Sequence, residues 1–369
     1  PGPYDGGAPC GGSTNPKLRC EAPITIGTGT GINYGALVAL DDGFLAGWTG
    51  ADLELRHITL DGGNTLLHSQ GGLSMGQVSL DAKGARWVAA WMSSGSASAS
   101  CLTSDATGTP LLPATQVLPR DGGVMSIVSA AISPSGAVAV AAERQYSHFM
   151  GGHNASGCPT EIPRLPFNDG TNGAGVVWTT DPRGDGFRYV NTGQFNFLNG
   201  SVEVALVDVD GGFFSRYQSE QQTAPGQNSV VASHDRSTVL VAYSAFRDVG
   251  GGTYDLKLYG TSANLPGNGF PVVVNNAYDT GWWVMSTCGA GCAMTTLLGY
   301  DTGNHLPIYF FGDTPGLAPR GTYDVECNTP PSSRDGTTVS IAYSQSKLGV
   351  MTTLPGQVQL YLCDLPPLP

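Results

Sequence analysis

Asp81-Ala82-Lys83-Gly84-Ala85-Arg86-Trp87-Val88-Ala89-Ala90-Trp91-Met92 sets a polar turn against six consecutive apolar residues. Such a run has neither the 3.6-residue period of an amphipathic helix nor the alternation of a half-exposed strand. Short and bounded by turn residues, it reads as a strand buried on both faces. The same turn-then-run unit recurs. Asp41-Asp42-Gly43 precedes 44–49, Ser133-Pro134-Ser135-Gly136 precedes 137–142, and His234-Asp235-Arg236-Ser237 precedes 238–243. Cys288-Gly289-Ala290-Gly291-Cys292 precedes 293–298 and Arg334-Asp335-Gly336 precedes 337–342, with a weaker copy at Asn199-Gly200 before 202–207. The runs begin at 44, 87, 137, 202, 238, 293 and 337, at intervals of 36 to 65 residues that average about 49.

That period holds four short antiparallel strands and three turns, the content of one propeller blade. Seven runs predict an all-β, seven-bladed β-propeller over residues 22–365, the apolar run being the second strand of each blade. A pair of β-sandwiches is the rival architecture, and the periodicity argues against it. Composition agrees. With 53 Gly and 25 Pro in 369 residues, helical bundles and solenoids are disfavoured, while 40% hydrophobic residues supply a core. The last blade runs out of chain after 357–365. Residues 24–27 lie before the first blade with no partner, so they are expected to pair with 357–363 and close the ring. Residues 1–21 read as a spacer carrying Cys10 and Cys20, and 366–369 as a tail.

The balance of 17 basic against 29 acidic residues, with no basic stripe, argues against a nucleic-acid partner. No apolar run is long enough for a transmembrane span. Eight cysteines without metal-ligand spacing suit an oxidising compartment, and the Pro/Gly-rich start at Pro1 reads as a spacer left by a removed leader. The chain is therefore expected to be exported: extracellular, periplasmic or at the cell surface. A lipid anchor upstream of residue 1 is compatible with this. Cys288 and Cys292 flank a five-residue hairpin within disulfide reach, and Cys101 is expected to bridge to Cys158. The closing strand pair brings Cys20 to Cys363 and leaves Cys10 for Cys327, an assignment the sequence leaves open.

In these features the chain resembles secreted bacterial seven-bladed β-propellers, including lipoprotein-like propellers whose blades carry an Asp/Gly turn before a Val-Ala-Trp or Val-Ala-Tyr strand. The resemblance spans about residues 22–365 and implies a fold rather than a reaction. Ser79-Leu80-Asp81-Ala82-Lys83-Gly84-Ala85-Arg86-Trp87 is also similar to the Asp-box of sialidases, with one extra residue between Asp and Gly. That box is a blade-stabilising turn.

In a propeller, loops joining strands two and three and loops joining blades emerge on one end, where ligands bind. Here that end collects Trp48, Trp91, Arg144, Tyr146, His148, His153, Arg247, Asp248, Tyr278, Asp279 and Trp282. Aromatic platforms beside Arg and Asp suit a sugar ring or a peptide. The expected function is thus a binding module recognising a glycan or protein, with Trp48 and Trp91 also readable as inter-blade core. The alternative is a glycoside hydrolase or polysaccharide lyase on the same face, which would need paired carboxylates. The segment 147–174 reads as a long loop inserted in the third blade, supplying specificity and not stability. Its His148 and His153, with Met150, would hold copper or zinc if they converged. Asn154-Ala155-Ser156 and Asn199-Gly200-Ser201 match the glycosylation sequon. H-E-x-x-H and P-loop motifs are absent from the sequence.

Overall fold

The computed structural model describes residues 14–73, 76–93, 96–144, 148–165, 171–181, 184–195, 201–207, 213–218, 225–246, 253–262, 274–278, 282–298, 306–313, 317–325 and 338–368. Among these the chain is all-β, with no helix. Strand β1 (Ile24–Thr28) precedes a first sheet of β2 (Tyr34–Leu40), β3 (Gly43–Thr49), β4 (Asp52–Thr59) and β5 (Asn64–Gly71). The second sheet holds β6 (Gln77–Lys83), β7 (Arg86–Met92), β8 (Ala99–Thr103) and β9 (Thr115–Pro119), and the third β10 (Met125–Ile132), β11 (Val138–Arg144) and β12 (His148–Asn154). A two-residue strand β13 (Glu161–Ile162) then returns to run parallel to β9 in the second sheet.

The fourth sheet comprises β14 (Thr171–Asp181), β15 (Gly184–Phe195), β16 (Ser201–Val207) and β17 (Phe213–Gln218). The fifth comprises β18 (Pro225–Ala232), β19 (Thr238–Phe246), β20 (Thr253–Ser262) and β21 (Val274–Tyr278). The sixth has β22 (Trp282–Thr287), β23 (Ala293–Leu298), β24 (Pro307–Phe311) and β25 (Pro319–Asp324). The last has β26 (Thr338–Ser344), β27 (Lys347–Leu354) and β28 (Gln357–Asp364), with β1 antiparallel to β28 at Ile24↔Leu360. The first strands touch in a cycle, β2 to β6, β10, β14, β18, β22, β26 and back to β2.

Packing explains the apolar runs. In β7, Trp87, Ala89 and Trp91 enter the core shared with the first sheet, while Val88, Ala90 and Met92 enter the core shared with the third. In β11, Val138, Val140 and Ala142 face the second sheet, whereas Ala139 and Ala141 face the fourth. Because side chains alternate across a strand, a strand sandwiched between two sheets must be apolar at every position. Each buried large side chain contributes about 1.5–3 kcal/mol.

Two of the seven runs occupy other strands than expected. The run at 202 is β16, third in its sheet, and that at 337 is β26, first in its sheet. The second strands there are β15 and β27, which carry buried polar residues: Arg188 (5% exposed), Asn191 (6%), Thr352 and Thr353 (both 0%). In β15 Arg188 and Asn191 interrupt the apolar run, whereas the threonines of β27 resemble the buried Thr295 and Thr296 of β23, and there it is the apolar β26 just before it that draws the reading one strand early. Counted correctly, second strands start at Gly43, Arg86, Val138, Gly184, Thr238, Ala293 and Lys347, and the intervals narrow to 43–55 residues.

Of the segment 147–174, the described residues 148–165 and 171–174 are structural parts and not an inserted loop. Its beginning is β12, in unbroken register with β11 from Val138↔Asn154 to Arg144↔His148. Phe149 and Met150 are each 1% exposed. The following stretch bonds on both sides: Leu165 N–H donates to the Phe149 carbonyl (2.9 Å), Gly151 N–H to Pro163 (3.0 Å) and Leu118 N–H to Thr160 (3.0 Å). With the Cys101–Cys158 disulfide and the Arg120–Glu161 ion pair (2.8 Å), it straps the third sheet to the second.

A second strap lies in the segment expected to be a spacer. Leu18 is 2% exposed in the core between the sixth and last sheets, Leu18 N–H donates to the Asp324 carbonyl (2.7 Å), and Glu21 N–H donates to Leu362 (2.9 Å). Cys20 bonds to Cys363. Lys347 Nζ reaches both Glu21 (2.8 Å) and Asp364 (3.0 Å). Cys288 and Cys292 are disulfide-bonded in their hairpin. Cys10 and Cys327 lie outside the described residues.

Aspartates organise several turns. Asp105 accepts the N–H groups of Thr107 (2.8 Å) and Thr109 (3.0 Å), and Asp235 accepts Ser233 Oγ–H (2.6 Å) and Ser237 N–H (2.9 Å). The Thr107 hydroxyl and amide hold the Asp105 carboxyl below its ordinary range, and the Ser233 and Ser237 donors do the same for Asp235. A depressed carboxyl pKa adds stability above the unfolded value, about 3.9 for Asp, and that stability is lost as pH falls through the folded value. Amide exchange at Thr109 and Ser237 is therefore expected to quicken relative to strand amides as the pH drops below that range. Unchanged relative exchange would show that the carboxylates do not hold these turns.

Candidate functional site

The first strands of all seven sheets line one cavity of about 380 Å³. Its side of each first strand has no neighbouring strand in a ladder, so its N–H groups need other acceptors. Hydroxyls from the preceding sheet supply several. Ser79 Oγ accepts from Ala130 N–H (3.1 Å), Ser129 Oγ from Val176 N–H (3.2 Å), Ser229 Oγ from Met285 N–H (2.9 Å) and Ser340 Oγ from Leu37 N–H (2.9 Å). Thr338 Oγ1 does the same for Gly35 N–H (3.1 Å) and Asp81 Oδ2 for Ile132 N–H (2.9 Å). Ser79 and Asp81, placed by the sequence in an Asp-box turn, are thus strand residues bonding sheet to sheet. The other Asp81 oxygen holds Lys83 Nζ at 2.6 Å. Sequence reasoning missed this belt, although its signal is present: one Ser inside an apolar strand at Val78-Ser79-Leu80, Val128-Ser129-Ala130, Asn228-Ser229-Val230 and Val339-Ser340-Ile341.

The expected aromatic platform is differently placed. Trp48 is 2% exposed, packed in the core between the last and first sheets with the Arg56 guanidinium 5.9 Å from its ring centre. Trp91 is fully buried, its Nε1–H donating to Gln70 Oε1 (3.1 Å) and its ring 5.6 Å from that of His68. Neither presents a face for stacking on a ligand. Arg144 and His148 do come together, as register partners at the open end of the third sheet, both half-buried. Tyr146, Arg247, Asp248 and Asp279 lie outside the described residues. Tyr278 ends β21 and Trp282 begins β22, and their side chains lie outside the description too.

His148 and His153 are not brought together. They stand at opposite ends of β12, five residues apart, which is about 17 Å along a strand. The odd spacing sends them to opposite faces. His153 is exposed near Phe187 (6.1 Å between rings), Met150 is in the core of the second and third sheets, and Cys158 is disulfide-bonded. Among the described residues no three His, Cys, Asp or Glu side chains are grouped to share a metal ion.

The three disulfides fit an oxidising environment, and no helix is long and apolar enough to cross a membrane. No family model matches the chain, nor does any curated protein. Among solved structures, Kuenenia stuttgartiensis hydrazine synthase, a β-propeller-containing protein, is similar with a TM-score of 0.56 at 11% identity, over 89% of this chain and 94% of that one. A likeness at that identity bears on the fold alone, and with the sheet topology it makes the chain all-β and propeller-like.

Proposed function

We propose that the chain is a seven-bladed β-propeller, closed by β1 on β28, which acts as an exported or surface-attached binding module for a glycan or protein at the end where Arg144 and His148 emerge. The cycle of contacts among first strands and the strand pairing of β1 support the fold reading. The observation that carries the site is the Arg144↔His148 pair. It sets a guanidinium beside an imidazole at the mouth of the β11–β12 connection, which carries Tyr146, on an otherwise rigid sheet. A planar donor fork next to an aromatic ring suits carboxylate-bearing or hydroxyl-rich ligands. With Trp48 and Trp91 committed to the core, this reading rests on Arg144 and His148, and the side chains of Arg247, Asp248, Tyr278, Asp279 and Trp282 lie outside the described residues.

The test is a glycan array that includes uronic-acid polysaccharides, run with the full chain and with Arg144→Ala/His148→Ala. A hit weakened at least tenfold in the double variant, about 1.4 kcal/mol, is the expected result. A hit retained at full affinity would move the site elsewhere on the molecule. Turnover of the bound glycan would replace the binding reading with the hydrolase or lyase one.

A further inference from the structure

Three buried polar atoms of one seam have no hydrogen-bond partner among the described residues: Trp178 Nε1, Tyr189 Oη and Asn191 Oδ1. Elsewhere such atoms occur singly, as His68 Nε2 does beside Trp91. The three face the third sheet from the fourth. Phe187, Tyr189 and Asn191 share one face of β15, and Phe187 and Tyr189 pack in one core with Phe149, Ala139 and Ala141 of the third sheet. Trp178 packs against the same core from β14, opposite Phe187 in register and 5.1 Å from it between ring centres. The groups therefore stand at successive levels of two paired strands: Trp178 with Phe187, Val176 with Tyr189 and Ala174 with Asn191. One such step is about 7 Å, and two hydrogen bonds in series span about 6 Å. Tyr189 is 1% exposed and Asn191 6%, so bulk solvent does not serve them. Burial raises the Tyr189 hydroxyl above its ordinary ionisation range, which keeps it a donor.

We propose that the seam between the third and fourth sheets binds a file of internal waters that branches from the central cavity. At the level of Asn191 the inner residue Ala174 lines that cavity, and so does Ile127 on the facing sheet. Ile127 pairs in register with Glu143, which is 1% exposed and lies on the face of β11 that carries Ala139 and Ala141. One end of the file thus lies a single strand outward from the cavity wall. The donor set selects the occupant. Trp178 and Tyr189 offer protons, which disfavours a cation, while the Glu143 carboxyl on the opposite wall disfavours an anion and Asn191 Oδ1 calls for a donor. Water accepts at one level and donates at the next, and buried waters hold about two to four such bonds. The adjacent seam is built differently. Between the second and third sheets the core is Val, Ala, Ile, Met and Cys, and none of the unpartnered atoms belongs to it. Arg144 and His148 share the face of Ala142 and Met150, which looks into that dry seam, so the water site is independent of them.

Quadrupolar oxygen relaxation dispersion of the solvent, measured on the full chain, reads long-lived internal waters directly. Tyr189→Phe with Asn191→Leu should lose a measurable part of the dispersion amplitude found for the parent. Melting of Tyr189→Phe gives an independent sign. In a wet seam the change strands a water and lowers the melting temperature, whereas in a dry one it deletes an unpaired hydroxyl and raises it. Should the double variant fold poorly, Trp178→Phe probes the other end of the file by the same dispersion measurement. Equal amplitudes in parent and variants, or a raised melting temperature for Tyr189→Phe, would overturn the proposal. A crystal structure with protein or ion partners on the three atoms in place of water would do the same. None of these outcomes bears on the Arg144 site, which its own array decides.

Discussion

Replacing residues 147–174 by a short Gly-Ser turn is expected to abolish cooperative folding, not merely to remove a specificity loop. The replacement takes away β12, the edge strand of the third sheet, and with it Phe149 and Met150, each 1% exposed in two different cores. Loss of a buried Phe costs about 3–5 kcal/mol and of a buried Met about 2–5 kcal/mol. The Cys101–Cys158 bridge goes with them, at about 2–5 kcal/mol. Against a total stability of roughly 5–15 kcal/mol, the summed loss is as large as the whole margin that keeps the chain folded. Circular dichroism melting of the replacement should show no sigmoidal transition. The milder Phe149→Ala should still melt cooperatively, about 10 °C lower. A replacement that melts like the parent would return the segment to the status of a surface loop.

Deletion of residues 1–30 should be nearly as damaging, because the segment contains three fastenings of one seam. Leu18 fills the core between the sixth and last sheets, Cys20 is bonded to Cys363, and Ile24–Thr28 supplies the outer strand against β28. Leu18→Ala alone should cost about 2–5 kcal/mol and Cys20→Ser about as much, and together they should approach the effect of the deletion. Aggregation is the expected companion of the deletion, since β28 would present a bare edge. If the deleted chain melted within a degree or two of the parent, β1 would be an ornament on a sheet already complete with three strands.

Strand order was legible in the sequence wherever a second strand faces two apolar cores. Trp87–Met92 and Val138–Ala142 could be read because both of their faces are greasy, and the turns before them are marked by Asp, Ser and Gly. Reading failed at β15, where Arg188 and Asn191 are buried polar residues that no hydropathy pattern assigns to an interior, and at the last sheet, where the first strand β26 is itself an apolar run behind an Asp-Gly turn. The segment after Tyr146 was misread for a related reason: Gly151, Gly152 and His153 look like loop residues, yet Gly151 is small because a Cβ there would press on the Tyr189 ring at 2.6 Å. Disulfide partners followed from strand pairing, so Cys20–Cys363 was accessible once β1 was assigned to the last sheet. For the site, burial was the missing information. A Trp at the end of a strand looks the same in sequence whether it caps a core, as Trp48 and Trp91 do, or faces a ligand. The serine belt escaped notice because one hydroxyl in an apolar strand reads as noise until its partner on the next sheet is seen.

The Cys20–Cys363 bond joins positions 343 residues apart. Nearly the whole chain is therefore a covalent circle, and unfolding it yields a ring polymer and not an open one. In the chain-entropy description, closing a loop of that length removes about 5–6 kcal/mol of freedom from the unfolded state. A circle also tolerates being cut. One nick in any connection between sheets would leave a single molecule whose new ends lie wherever the cut fell, a natural circular permutant held by sulfur in place of a peptide bond. Such a molecule can lose a peptide link to a protease and still keep its last sheet registered on its first.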